Sequence, residues 1–316
     1  MLNVYVKANA RAYFLDRCLR SVKQYVHGFD KLIVLNDGLI GPALQRLVAL
    51  HPDVQFRRSD RIPTDRPVVA KARAARHNPA RFWVREISAV KYDYTLILEE
   101  DTWVTAPLDL AVLIPEIAAA DALLLRLYWG SNPRMSIAED VVREVPIDQE
   151  RRLQYYMLPK RPLALGEIYK LFPLALSIFR VKYWVAAYAG TPYWDDEGHV
   201  FGRALSYVNE QILQQRPIAF CSLDQEAIRH TALSTSRTDS GGRGVTHKID
   251  AALYNTALND AWLAGEIDAM ADFPADPSDK TVLAALRQRL TEEQVNDWLL
   301  WREDYKRMYQ SLGVQL

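Results

Sequence analysis

The sequence is short of cysteine, of long apolar runs and of net charge. Two cysteines in 316 residues exclude a disulfide-stapled scaffold, and a chain of this length can bury a large core without one. The 39 basic residues equal the 39 acidic ones, which argues against a protein that holds nucleic acid through bulk charge. No apolar run approaches the roughly 20 residues that a membrane-spanning helix needs. Apolar residues make up 49% and charged residues 25%, so intrinsic disorder is excluded as well.

No signal peptide is visible in the first residues of the sequence. Met1 leads directly into the strand-like segment Leu2–Lys7, without the charged and apolar regions of a signal peptide. We therefore expect a cytoplasmic protein, or one held peripherally at the inner face of the membrane.

Strand and helix patterns alternate through the first hundred residues. Apolar strand-like runs at Leu2–Lys7, Lys31–Asn36 and Tyr94–Leu98 are separated by segments with helical spacing. This order predicts an α/β fold with a mostly parallel sheet and helices on both faces. From residue 250 onward only helix patterns remain. We therefore expect one domain over residues 1–249 and a helical C-terminal extension over residues 250–316 that packs on it.

Acidic residues follow two of the predicted strands. Asp37 comes after one strand, and Glu99-Glu100-Asp101 comes directly after another. Ligands bind beyond the carboxyl ends of parallel strands, so one cleft can use both positions. Three adjacent carboxylates repel one another, and a divalent cation would offset that cost. Carboxylate oxygens suit Mg²⁺ or Mn²⁺; the alternative is a solvated acidic turn.

Three motifs occur in a recognisable order at predicted strand ends. They are Val6-Lys7-Ala8-Asn9-Ala10-Arg11, Asn36-Asp37-Gly38 and Glu99-Glu100-Asp101, and a helix with a Leu…Cys-Leu…Ser-Val pattern follows the first. In this order they resemble the opening of nucleotide-sugar glycosyltransferases of the GT-A type. The resemblance is family-two-like, with a Glu-Glu-Asp version of the acidic DxD motif, and covers roughly residues 1–107. It implies a GT-A (Rossmann-like) fold and a nucleotide-diphosphate sugar donor.

The resemblance also implies roles in nucleotide binding. Asp37 would accept a hydrogen bond from the nucleobase, and Asn9 and Arg11 would line the same pocket. A plain turn is the alternative for Asp37-Gly38. Basic residues between positions 57 and 85 could hold the diphosphate, and Lys71 and Arg76 are our candidates there, although a solvated helix face explains most of that stretch.

The acidic motif and a late histidine complete the implied donor site. Glu99 or Glu100 would contact the ribose or the donor sugar, and Asp101 would bind Mn²⁺ or Mg²⁺, which neutralises the charge that grows on the diphosphate leaving group. His230 follows a late strand, where several GT-A enzymes place a histidine on the metal. A purely structural histidine is the alternative.

A second acidic segment precedes a predicted helix. It runs Trp194-Asp195-Asp196-Glu197-Gly198, and in the resembled family an acid at this place is the general base of inverting members. We choose Asp196 as the base, with Asp195 and Glu197 as alternates. Helix capping is the competing explanation for these acids.

Together these features predict a metal-dependent inverting glycosyltransferase. It would move a sugar from a nucleotide-diphosphate donor to a glycan or glycoconjugate acceptor, as in cell-surface polysaccharide synthesis. A sugar-phosphate nucleotidyltransferase is disfavoured, because such enzymes carry a glycine-rich loop after the first strand and the first glycine here is Gly28. A nucleic-acid-modifying glycosyltransferase and a non-catalytic sugar- or nucleotide-binding protein of the same fold are the remaining alternatives.

Overall fold

The computed structural model describes residues 1–59, 79–128, 142–158, 161–191, 197–216, 218–231, 233, 245–311 and 313. A nine-stranded sheet runs through these ranges. Its strands are β1 (Asn3–Ala8), β3 (Leu32–Asn36), β4 (Gln55–Arg58), β5 (Tyr94–Glu99), β8 (Ala122–Arg126), β9 (Arg143–Pro146), β10 (Arg152–Met157), β11 (Ser177–Arg180) and β12 (Ala219–Leu223).

Four short strands form two small pairs beside the main sheet. The first pair is β2 (Val26–His27) with β7 (Leu108–Asp109), and the second is β6 (Thr102–Val104) with β13 (Ile228–His230). The helices are α1 (Ala12–Tyr25), α2 (Gly41–Leu50), α3 (Pro79–Ser88), α4 (Leu110–Ala119), α5 (Leu165–Leu171), α6 (Val181–Tyr188), α7 (Glu197–Leu213), α8 (Ala251–Leu263), α9 (Asp279–Arg287) and α10 (Glu292–Ser311).

The main sheet has the order β4-β3-β1-β5-β11-β8-β12-β10-β9. Its first four strands are parallel. Strand–helix alternation predicts this, because two parallel strands must be joined by a crossover connection, which is usually a helix. From β11 onward the strands run in both directions: β11 is antiparallel to β5 and β8, and β10 is antiparallel to both neighbours. The α/β fold is confirmed, and the sheet as a whole is mixed.

Helix α1 is buried around most of its circumference. The sequence predicts one apolar face, and Leu15, Cys18 and Leu19 are fully buried on it. Asp16 and Arg17 are also fully buried, which single-face amphipathicity does not predict. The C-terminal residues cover that side of the helix.

Hydrogen bonds hold the C-terminal extension on α1. Asp16 accepts from Trp262 Nε1 at 3.0 Å and from His51 Nε2 at 2.8 Å. Arg17 donates to backbone carbonyls of the segment between α8 and α9, and its guanidinium lies 4.5 Å from the centre of the Trp103 ring. Trp298 is fully buried in the same apolar core as the sheet. The extension therefore shares the core of the sheet, while a domain boundary at residue 249 stays a prediction.

The helices give no sign of a membrane span in the part of the chain that is described. None of them combines the length and the apolar character that crossing a bilayer requires.

Candidate active site

The acidic cluster lies at the sheet edge where β1, β3 and β5 end. Lys7 of β1 is in register with Glu99 of β5. One residue further along, the Glu100 amide donates to Lys7 O at 3.0 Å and the Asp37 amide donates to Ala8 O at 2.8 Å. The loop after β1 therefore lies between the two acidic positions. Parallel strands that end together bring Asp37 and the acidic cluster to the common edge that the sequence predicts.

Glu99 is paired with a buried lysine. Lys7 Nζ lies 2.8 Å from Glu99 Oε1, and it also lies 4.9 Å from the Trp83 ring centre and 5.6 Å from that of Tyr188. Burial would lower the pKa of Lys7, but Glu99 and Tyr188 outweigh it and raise that pKa above its ordinary value. The Glu99 side chain is 34% exposed. It therefore keeps a face that a ligand can reach.

Glu100 is used inside the protein to hold the loop after β1. Its side chain is 2% exposed. It accepts from the Asn9 amide at 2.8 Å, the Arg11 amide at 3.3 Å and Arg11 Nε at 2.7 Å. These bonds fix the turn between β1 and α1, because each satisfies a buried backbone or guanidinium donor.

Asp101 lies between Arg11 and His230. Arg11 Nη1 donates to Asp101 Oδ2 at 2.5 Å, and His230 Nε2 lies 3.1 Å from the same oxygen. Burial would raise the pKa of the Asp101 carboxyl, but the charges of Arg11 and His230 outweigh it and hold that pKa below its ordinary range. Burial likewise opposes the charged form of His230, and Asp101 outweighs it and raises the histidine pKa.

The small β6–β13 pair explains how a distant histidine reaches Asp101. His230 is in antiparallel register with Thr102, the residue after Asp101. The Thr231 amide donates to Asp101 O at 3.0 Å. This pairing brings a late chain segment against the end of β5, which sequence distance alone does not reveal.

The acidic cluster is neutralised differently from what the sequence predicts. Three mutually repelling carboxylates are expected to need a cation to offset their repulsion. In the structure Lys7 faces Glu99, and Arg11 bridges Glu100 and Asp101. The repulsion is therefore already compensated by basic side chains, and repulsion alone does not require a metal.

A different observation bears on whether a cation fits. Asp101 Oδ1 is buried and has no hydrogen-bond partner among the described residues. Buried carboxylate oxygens are rarely left unsatisfied, and carboxylate oxygen with imidazole nitrogen is a suitable donor set for Mn²⁺. Asp101 and His230 therefore fit such an ion as two of its ligands. The described ranges hold no group of three potential metal-binding side chains.

The loop after β3 packs directly on the loop after β1. Asn36 Oδ1 accepts from the amides of Gly38 and Leu39 at 3.1 and 2.8 Å. A Cβ on Gly38 would lie 2.0 Å from Asn9 Oδ1 and 2.3 Å from Asn9 O. Glycine is thus required by the close approach of the two loops. Asp37-Gly38 is more than a solvated turn, since Asp37 is only 7% exposed.

The proposed base segment is described only at its end. Glu197 is the first residue of α7, whereas Asp195 and Asp196 lie outside the described residues, as do Lys71 and Arg76. Burial raises the pKa of Tyr188, Lys7 opposes that rise, and Glu99 and Glu197 add to it. Helix α7 packs on α6, since Arg203 Nε donates to Ala186 O at 3.0 Å, and α6 ends at Tyr188, whose ring lies beside Lys7.

Sequence reasoning missed three residues of this region. Lys7 and Tyr188 surround Glu99, and Tyr309 Oη lies 3.2 Å from His230 Nδ1. A lysine within an apolar strand was a usable signal, because a buried lysine needs an acidic partner. Tyr188 and Tyr309 gave no such signal, since helical spacing explains both as core residues.

A cavity of about 490 Å³ opens at the opposite edge of the sheet. Its lining includes Asp93, Asp121 and Ile218, which immediately precede β5, β8 and β12. It is therefore separate from the acidic cluster.

Comparisons with known proteins returned structural similarity only. No family model matches the chain, and no curated protein matches its sequence. Residues 1–349 of S. aureus TarS in complex with UDP are 12% identical, with a TM-score of 0.43 and coverage of 98% of this chain and 92% of that one. Glucosyl-3-phosphoglycerate synthase from Mycobacterium tuberculosis, in complex with Mn²⁺, UDP and glucosyl-3-phosphoglycerate, is 14% identical, with a TM-score of 0.40 and coverage of 86% and 82%. Similarities of this size carry no argument about activity.

Proposed function

We propose that this chain is a nucleotide-sugar glycosyltransferase of the GT-A type. The observation that carries the proposal is the buried Asp101 carboxylate, flanked by Arg11 and His230 at the edge where Asp37 also lies. An unsatisfied oxygen beside an imidazole suits a cation that holds a diphosphate. The same edge supplies an acid for the nucleoside and an accessible acid for the sugar.

The nucleoside would bind between the loops after β1 and β3. Asp37 would accept a hydrogen bond from the nucleobase, and Asn9 would line the same pocket, since Gly38 packs against it. Glu99 is our preferred contact for the ribose or the donor sugar because it is more exposed than Glu100. Glu100 would act by holding the loop.

Asp101 and His230 would hold Mn²⁺ or Mg²⁺. Such an ion, when bound, neutralises charge on the departing nucleoside diphosphate without proton transfer. Arg11 would hold the Asp101 carboxylate in place, and Lys71 and Arg76 remain our candidates for direct contacts with the diphosphate.

Asp196 is our proposed general base, with Asp195 and Glu197 as alternates. It would take the proton of the acceptor hydroxyl as that oxygen attacks the anomeric carbon from the face opposite the leaving group, which inverts the configuration. The acceptor would be a glycan or glycoconjugate, such as a cell-surface polysaccharide, handled at the cytoplasmic side of the membrane.

A thermal-shift screen of nucleoside diphosphates with and without Mn²⁺ tests the donor site. A ligand at 100 times its dissociation constant stabilises a protein by about 2.7 kcal/mol, which is readily measured. Asp101→Asn and His230→Gln should each remove the Mn²⁺-dependent part of the shift. Asp297→Asn on the exposed face of α10 is the matched control. A full Mn²⁺-dependent shift in both site variants would contradict the metal assignment.

Turnover of the acid variants tests the base. Loss of a general base costs about 100- to 10,000-fold in rate, so Asp196→Asn should lose turnover by that factor while its nucleotide-induced thermal shift is unchanged. A large loss in Asp195→Asn or Glu197→Gln instead would move the role within the segment. Donor binding with neither hydrolysis nor transfer, for any acceptor tried, would favour a non-catalytic binding protein.

A further inference from the structure

The C-terminal helix reaches the candidate cation site through Tyr309. Its hydroxyl lies 3.2 Å from His230 Nδ1, and the two rings have centroids 5.7 Å apart. The other ring nitrogen, His230 Nε2, lies 3.1 Å from Asp101 Oδ2. Both edges of the imidazole are therefore engaged, one by the cluster and one by α10.

Tyr309 is itself held by a column of aromatic rings along α10. Trp301, Tyr305 and Tyr309 are spaced four residues apart, so they share one face of the helix. The Trp301 and Tyr305 rings are stacked with centroids 4.7 Å apart, and the Tyr305 and Tyr309 rings meet edge to face at 5.0 Å. Trp301 is fully buried. The position of the Tyr309 hydroxyl is thus fixed by core packing.

The direction of this contact depends on what His230 Nε2 binds. Without a cation, Nε2 donates to the Asp101 carboxylate oxygen 3.1 Å away, and the Tyr309 hydroxyl either donates to Nδ1 or accepts from it. If Nε2 instead binds a cation, the ring proton is on Nδ1 and the phenol oxygen of Tyr309 is its acceptor.

We propose that Tyr309 is a positioning residue that orients the His230 ring so that Nε2 faces Asp101. The inference rests on the proposed function for the identity of the ligand, while the ring orientation itself does not depend on any ligand. It makes the last turns of α10 part of the donor site. The C-terminal extension would then serve the chemistry as well as the stability of the fold.

Tyr309→Phe tests this proposal because it removes the hydroxyl and keeps the ring. Loss of the hydrogen-bond partner of a metal-binding histidine costs about 10- to 100-fold in metal affinity. The dissociation constant of Mn²⁺, measured by electron paramagnetic resonance with and without UDP or GDP, should rise by that factor. Tyr254→Phe is the matched control, since its hydroxyl donates to Gln294 O within the same extension, and it should bind Mn²⁺ like the unmodified chain.

A metal-free measurement separates this proposal from the proposed function. In the unmodified, metal-free protein, the ¹⁵N NMR signal of His230 Nδ1, assigned by its loss in His230→Gln, should have the chemical shift of a hydrogen-bonded ring nitrogen. That signal should shift in Tyr309→Phe and stay in place in Tyr254→Phe. An unchanged signal or unchanged Mn²⁺ affinity in Tyr309→Phe overturns the positioning role. If the unmodified protein binds no Mn²⁺, the proposed cation site fails, and the NMR signal alone decides the role of Tyr309.

Discussion

Replacing Glu100 by glutamine should strongly destabilise the protein although the side chain keeps its shape. One carboxylate oxygen accepts from the Asn9 and Arg11 amides, and the other accepts from Arg11 Nε. Either orientation of the new amide places its NH₂ group against one of these donors. The side chains of Glu100 and Arg11 are only 2% and 8% exposed, so water cannot fully replace the lost hydrogen bonds.

The size of the effect follows from those contacts. A hydrogen bond to a charged group contributes about 1.5–3 kcal/mol, and an unsatisfied buried donor costs about 1–3 kcal/mol more. Breaking a buried ion pair from one side falls in the same range, about 3–5 kcal/mol. The free energy of unfolding of Glu100→Gln, measured by urea denaturation, should therefore drop by about 3–5 kcal/mol. The exposed Glu293→Gln on α10 should stay within about 0.5 kcal/mol of the unmodified chain.

Glu100→Gln should also weaken nucleoside diphosphate binding, because the loop that it releases lines the proposed nucleotide pocket. A loss of stability below about 1 kcal/mol would refute the account of Glu100 as the residue that holds this loop. It would return Glu100 to the set of possible ligand contacts.

Two further predictions concern the close approach of two loops at the site and a buried carboxylate on α1. Gly38→Ala should lower the free energy of unfolding by about 1–3 kcal/mol, because its Cβ would overlap Asn9 O. Gly202→Ala is the control within α7, where a Cβ meets nothing within 4 Å, and it should raise the free energy of unfolding by up to about 1 kcal/mol. Urea denaturation of both variants compares them directly. Asp16 has a pKa below its ordinary value because, although burial opposes this, His51 and Arg20 favour its charged form. Its contribution to stability is therefore present above about pH 4 and is lost as the pH falls. Between pH 6 and pH 3 the free energy of unfolding should fall less in Asp16→Asn than in the unmodified chain. An equal fall in both proteins would contradict this.

Local patterns in the sequence are enough to predict the main elements of the sheet and the edge at which the acids lie. Alternating strand and helix patterns predict the α/β class and the parallel arrangement of β1, β3 and β5. Because parallel strands end at a shared edge, Asp37 and Glu99–Asp101 can be assigned to one edge of the sheet from the sequence. Helical spacing likewise predicts the apolar side of α1, since side chains that share a face recur with the helical repeat, but it does not predict the burial of Asp16 and Arg17 on the other side.

The side chain that faces each acid, in contrast, depends on contacts between distant segments of the chain. The pairing of Lys7 with Glu99 follows from the β1–β5 register, and the contact of His230 with Asp101 follows from the β6–β13 register. Registers between distant segments depend on the packing of the whole chain, which local patterns do not encode. For the same reason the sequence does not reveal the contact between the Tyr309 hydroxyl and His230, because the helical spacing of Tyr309 is that of a core residue.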